Sequence, residues 1–295
     1  MRRFVLYISI IIAITLALMF ALDRLYSYAF TSGVPRSKLQ HILQQKNTTY
    51  DYLFLGSSRT EFHIDCYLIE ELTGKSCINY GISGTTFKDS YSMLQLLEAR
   101  GIKFKNIFVQ VDYMYNHTDY SPNIRARLLA ENKEPIVKEI LEEYDISFAD
   151  KHLPFYRYIM NDHIIGFREV FNLLIGRKSK TNFENGYIPK FGIHDYSIES
   201  LPNTIIESNP SINAMIEYFT EHSVQSFFFI APLCDSTVDR DLYVELLKTK
   251  IPVLYDYVSL YDGKDEGFYF DCGHLNNSGA QDFTRILTND LILNK

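Results

Sequence analysis

Residues 51–62 read DYLFLGSSRTEF, a short apolar run that stops at a glycine and turns into paired serines. Tyr52, Leu53, Phe54 and Leu55 form an unbroken aromatic and aliphatic stretch, the pattern of a strand covered on both faces. Gly56 ends it. Ser57 and Ser58 then fall where a helix begins near Arg59, and the first turn of a helix leaves backbone N–H groups unpaired and favours negative charge. A nucleophilic hydroxyl belongs in such a place. A serine that merely caps the helix belongs there too and is the more frequent use, so this segment alone leaves both readings open.

Working outward, residues 65–72 carry apolar side chains at helical spacing (Tyr67, Leu68, Leu72) and stop before Gly74. A second strand, 77–82, runs into Ser83-Gly84-Thr85-Thr86, and residues 87–100 form a further amphipathic helix closed by Gly101. The stretch NIFVQV at 106–111 is a third buried strand ending at Asp112. The alternation of strand and helix with short links predicts an α/β fold, a parallel sheet between two helix layers as in a three-layer α/β/α sandwich. On such sheets ligands sit at the carboxyl ends of the strands, where Ser58, Gly84 and Asp112 all fall. The pattern resumes with SFFFIA at 226–231, a helix around 239–250, a strand at 253–257, FYFDCGHLN at 268–276 and a last helix over 280–293.

Two segments lie outside that alternation. Arg2 and Arg3 precede an apolar run from Phe4 to Leu22 broken only by Ser9 and Thr15, and those 19 residues extend roughly 28 Å as a helix, about the thickness of a bilayer core. No small-x-small cleavage site stands before Asp23, so an uncleaved anchor is expected rather than a signal peptide, with the N-terminus cytoplasmic and the remainder outside. The expected organisation is a cytoplasmic tip and membrane anchor over 1–24, a polar stalk over 25–50, a catalytic core over 51–116 and 216–295, and a helical insertion over 117–215. About a hundred residues between two sheet strands exceeds an ordinary crossover and predicts a cap over the strand ends. A net charge of −7 with no basic tract excludes nucleic acid as a partner.

Asp271 and His274 stand three apart in a glycine-containing turn ahead of the last helix. A carboxylate in that position holds the imidazole tautomer and leaves the other ring nitrogen to take a proton from a serine. Placed after the last strand of a sheet whose first strand ends in Gly-Ser-Ser, the pair completes a pattern. LGSSRTEF, INYGISG and DCGHLNNSG resemble the first, second and last blocks of the SGNH (GDSL-like) hydrolases, over roughly residues 50–115 and 225–293. The resemblance implies that Ser58 is the nucleophile, that Gly84 offers a backbone N–H to the oxyanion, and that Asp271 and His274 complete the triad.

The chain departs from the family at Ser57, where many members carry Asp, and at the third block, which is VDYMYNH here instead of Gly-x-Asn-Asp. Asn116 is a candidate for the displaced third oxyanion donor; the alternative rests the oxyanion on the backbone N–H groups of Ser58 and Gly84, or on a group from the insertion. Membrane-anchored members of the family that edit surface polymers imply an esterase or O-acyltransferase acting on acylated cell-envelope glycan, with no cofactor. A second reading keeps the fold as a non-catalytic binding or assembly module beside a membrane acyltransferase. Arg59 is expected to pair with a neighbouring carboxylate rather than to steer substrate, and His63, His117, His152, His163 and His194 show no ligand-like spacing. An even cysteine count in an exported domain permits the disulfides Cys66–Cys77 and Cys234–Cys272, or four free thiols. Cys272 and His274 without a second ligand cluster do not make a zinc site.

Overall fold

The computed structural model describes residues 1–144, 146–194, 200–264 and 266–294. In chain order the elements are α1 (Arg2–Ser32), α2 (Lys38–Gln44), β1 (Thr49–Leu55), α3 (Ser58–Glu61), α4 (Cys66–Thr73), β2 (Cys77–Asn79), α5 (Phe87–Ala99) and β3 (Lys103–Gln110). Then come α6 (Pro122–Ala130), α7 (Pro135–Glu142), α8 (Phe148–His152), α9 (Tyr156–Met160), α10 (Asp162–Ile165), α11 (Phe167–Leu174) and α12 (Pro210–Glu221). The chain closes with β4 (Gln225–Ile230), α13 (Arg240–Lys248), β5 (Leu254–Asp256), β6 (Tyr269–Asp271), β7 (His274–Leu275) and α14 (Asn277–Thr288). Contacts divide it into two units: Met1–Gln44 with Pro122–Lys180, and Gln45–Ser121 with Thr181–Lys295.

The second unit carries the sheet. Its five strands are parallel in the order β2-β1-β3-β4-β5, the doubly wound order that places a switch point between β1 and β3. Register puts Phe54 opposite Phe108 and Phe108 opposite Phe227, and their rings stack at 4.5 and 4.7 Å. With side chains alternating along each strand, this aromatic ladder occupies one face, where Ile69 of α4 and Phe283, Leu287 and Leu291 at the chain's end join it in one core. On the other face Phe219 of α12 meets Phe228 of β4 at 6.3 Å, and α12 packs on α5. The result is the α/β class read from the sequence, a parallel sheet with helices on both faces. Local signals set the helix ends: Asp65 caps α4, Gly74 closes it at φ +69°, and Thr86 and Asp89 form a reciprocal capping box on α5.

In the first unit α1 is unbroken over 31 residues, and its most apolar 18-residue window has a mean hydropathy of 2.7 with none of it buried. That helix is long and apolar enough to cross a membrane. Within the stalk expected over 25–50, α1 continues through Ser32, α2 spans Lys38–Gln44 and β1 begins at Thr49. Tyr26, Ala29 and Phe30 repeat at helical spacing and pack with Ala126, Ala130, Tyr158, Ile165, Val170 and Leu173. Just past the apolar run, Asp23 accepts the Phe155 N–H at 2.9 Å and pairs with Arg157 at 3.0 Å.

The insertion expected over 117–215 is also shorter by contact. Residues beyond Lys180 belong with the sheet, because the Asn79 N–H donates to Asn185 O at 2.9 Å, the Ile188 N–H to Glu61 O at 3.2 Å, and α12 covers the sheet. The Asn209-Pro210 pair is the cap and first-turn proline of α12: Asn209 Oδ1 accepts from the Ser211 and Ile212 N–H groups.

Candidate active site

β1 delivers the chain to the switch point and Gly56 turns it at φ +152°. A Cβ at Gly56 would lie 2.3 Å from Thr60 Oγ1 and 2.8 Å from Gln110 Cβ, so the turn requires glycine. The two serines then divide the roles that the sequence left open. Ser57 is the cap, its Oγ accepting from the Arg59 N–H at 3.4 Å and donating to Gln110 Oε1 at 2.8 Å. Ser58, the first residue of α3, turns its hydroxyl to His274 Nε2 at 2.8 Å.

Asp271 and His274 face one another as register partners across the β6–β7 hairpin, and His274 Nδ1 lies 2.8 Å from Asp271 Oδ1 and 3.1 Å from Oδ2. Asp271 also accepts the Gly273 N–H at 2.9 Å, which holds the carboxylate within the turn. Burial pushes the Asp271 carboxyl up, but the hydrogen bond and charge of His274 and the backbone donors outweigh it, leaving the group below its ordinary value of 3.8. Ionised Asp271 fixes the proton on Nδ1, so Nε2 is free to accept from Ser58.

Gly84 stands in a turn bound to the same structure. The Ile82 N–H and the Thr85 hydroxyl both donate to Gly56 O at 3.0 Å, and Glu61 Oε2 accepts the Ser83 N–H at 3.0 Å. Among the described residues the backbone N–H groups of Ser58 and Gly84 have no acceptor. Asn116 is placed otherwise than expected: its Nδ2 donates to Thr204 O at 2.8 Å and its Oδ1 accepts the Ile206 N–H at 3.1 Å, so it fastens the 204–206 segment instead of joining the serine. Tyr113–Asn116 forms a 3₁₀ turn capped by Asp112, and that turn aims Asn116 at this neighbouring segment.

Arg59 pairs with a carboxylate as expected. Its Nη1 lies 3.2 Å from Asp112 Oδ2 with both side chains 3% exposed, and its Nε donates to Gly273 O at 3.1 Å. Gln110 Nε2 donates to Asp112 Oδ2 at 2.9 Å and closes a buried network of Ser57, Arg59, Gln110 and Asp112 under the serine turn. Two further residues hold the site without any signal in the sequence. Asn79 Nδ2 donates to Thr60 O and Ile64 O at 2.7 and 2.8 Å, fixing the end of α3. His63, fully buried, accepts the Leu275 N–H on Nε2 at 3.0 Å, directly after His274. Burial first, then the charges of His274 and Arg59, drive the His63 pKa well below 6.5, so it is neutral with its proton on Nδ1.

Cys66 is bonded to Cys77, and Cys234 to Cys272, next to Asp271. Among the described residues no cluster of three or more His, Cys, Asp or Glu side chains is arranged to hold a metal ion.

No protein-family model matches the chain, and no curated protein matches it. Among solved structures, a candidate lipolytic protein of the G-D-S-L family from Desulfitobacterium hafniense DCB-2 aligns over 83% of this chain and 100% of its own, with 11% identity and a TM-score of 0.36. What the chain itself carries is a parallel α/β sheet with a serine, a histidine and an aspartate hydrogen-bonded in series beside the carboxyl end of β1.

Proposed function

We propose that this chain is a membrane-anchored, SGNH-type acyl-ester hydrolase or O-acyltransferase that acts on acylated cell-envelope polysaccharide. The observation that carries the reading is the Ser58–His274–Asp271 series, with hydrogen bonds of 2.8 Å at each link. Ser58 Oγ attacks the ester carbonyl while His274 Nε2 takes its proton, and Asp271 stabilises the imidazolium without being protonated. The oxyanion of the tetrahedral intermediate accepts from the Ser58 and Gly84 N–H groups. Collapse expels the alcohol with the proton from His274 and leaves an acyl-serine. Water, or a sugar hydroxyl deprotonated by His274, then releases or receives the acyl group.

The anchor is α1, with Arg2 and Arg3 holding the N-terminus in the cytoplasm and the catalytic unit outside. Two disulfides support an oxidising compartment for that unit. A second reading, a non-catalytic assembly module, is favoured by the engagement of Asn116 with residues 204–206, which leaves the oxyanion two backbone donors. Intact mass after fluorophosphonate treatment of the detergent-solubilised chain separates the two. A single adduct that vanishes in Ser58→Ala and His274→Ala is the expected result. A folded parent that takes up no adduct would refute the catalytic reading and favour the module.

A further inference from the structure

Lys190 lies against the catalytic hairpin with its charge uncommitted. Its Nζ sits 4.3 Å from the ring centroid of Phe62 and 4.9 Å from that of Phe270. Phe62 follows α3 and meets His274 edge to face at 5.6 Å, and Phe270 immediately precedes Asp271. Two backbone bonds hold the segment there. The Ile188 N–H donates to Glu61 O at 3.2 Å, at the end of the serine helix, and the Asn277 N–H donates to Lys190 O at 2.6 Å, at the start of α14.

Aromatic faces orient an ammonium without neutralising it. Among the described residues no carboxylate pairs with Lys190. The other cation at the site is different in kind, since Arg59 is fully buried on Asp112 and Gly273 O. Lys190 is half-buried, as are Phe62, Phe270 and His274, so the ammonium reaches solvent over the two rings that flank the Asp271–His274 pair. On a chain with a net charge of −7, long-range attraction does not bring an anion to this mouth, and a local cation must do so.

We propose that Lys190 is a substrate-reading residue, and that the ester this site takes carries an anionic oxyacid group, a carboxylate or phosphate, within reach of its ammonium. The inference rests on the esterase reading and narrows it to esters that carry an anionic group on the acyl or the alcohol side. Phe62 and Phe270 supply the apolar walls on either side, and the substrate's anion completes the ammonium's shell.

The test is steady-state hydrolysis by the detergent-solubilised full chain of two matched ester pairs. One pair is 4-acetoxybenzoate and its methyl ester, with the anion on the alcohol side. The other is mono-4-nitrophenyl succinate and its methyl ester, with the anion on the acyl side. The parent is expected to favour the anionic member of at least one pair by about tenfold or more in kcat/KM, the worth of a hydrogen bond to a charged group. Lys190→Met removes that preference through KM, Lys190→Arg keeps it, and added salt shrinks it in the parent. Lys75→Met, an exposed lysine over Tyr52 at the opposite, amino-terminal edge of the sheet, leaves the preference intact. Turnover of the neutral esters without anionic preference, or a preference that survives Lys190→Met, overturns the role of Lys190 while leaving the esterase reading standing. No turnover of any of the four by folded parent refutes the esterase reading and the Lys190 role with it.

Discussion

Replacing Arg59 by Met tests whether the arginine beside Ser58 is architecture or substrate binding. Met keeps much of the aliphatic stem and removes the charge. Both Arg59 and Asp112 are 3% exposed, so the change strands a buried carboxylate that retains only Gln110 Nε2, the Ser57 hydroxyl and the Met114 N–H. A unit pair at about 4 Å interacts by roughly 4 kcal/mol at an effective dielectric near 20, and breaking a buried pair from one side costs about 3–5 kcal/mol. Gly273 O loses its donor as well, worth about 1 kcal/mol more. The chain has no Trp, so unfolding is followed by far-UV circular dichroism in urea without reductant. With a slope near 2 kcal/mol per molar, the midpoint falls by about 2 M. Removing the stranded charge as well, in Arg59→Met with Asp112→Asn, recovers at least half of the loss, because the penalty is that of an unpaired charge. A loss below about 1 kcal/mol, or an unchanged midpoint with a raised KM for anionic esters alone, would refute the structural assignment and make Arg59 a substrate contact.

Asp271→Asn retains the shape of the triad but lets the wrong tautomer form, and kcat for ester hydrolysis drops by about 10³-fold or more with little change in KM. His63 gives a pH signature in stability: its folded pKa lies below the ordinary 6.5, so below that pH the unfolded chain binds a proton the folded one refuses. Its share of stability is therefore complete above about pH 6.5 and falls by about 1.4 kcal/mol per unit as pH drops further, and His63→Gln, which offers an acceptor near the Nε2 position, flattens the slope in thermal melts. His63→Ala leaves the Leu275 N–H without its acceptor, costing about 1–3 kcal/mol in the same melts and lowering kcat, since the next residue back is His274.

Much of the fold was legible because the sheet unit obeys local rules. The runs ending at Leu55, Gln110 and Ile230 are apolar on both faces, the glycines and caps sit at helix ends, and the Asp271–His274 spacing suits one hairpin. What stayed hidden depends on contacts distant in sequence. Tyr26, Ala29 and Phe30 lie in a stretch rich in polar residues, and their helix is stabilised by α6, α9, α10 and α11, which come a hundred residues later. Asn116 looked like the best oxyanion donor because only its distance from Asp112 in sequence was visible, whereas its partners lie at 204 and 206. Nothing in the sequence separates His63, buried behind the Asp271–His274 turn, from the other histidines, since its meaning comes from a single backbone N–H at Leu275.

The bond from Cys234 to Cys272 fastens the exit of β4 to the residue next to Asp271, and the Cys234 N–H adds a hydrogen bond to Cys272 O at 3.2 Å. The hairpin that carries Asp271 and His274 is thereby tied to the sheet by a covalent link. Without that bond Asp271 and His274 would stand on a loop held to the exit of β4 by hydrogen bonds alone, so the geometry of the pair is tied to the redox state of two cysteines that take no part in it.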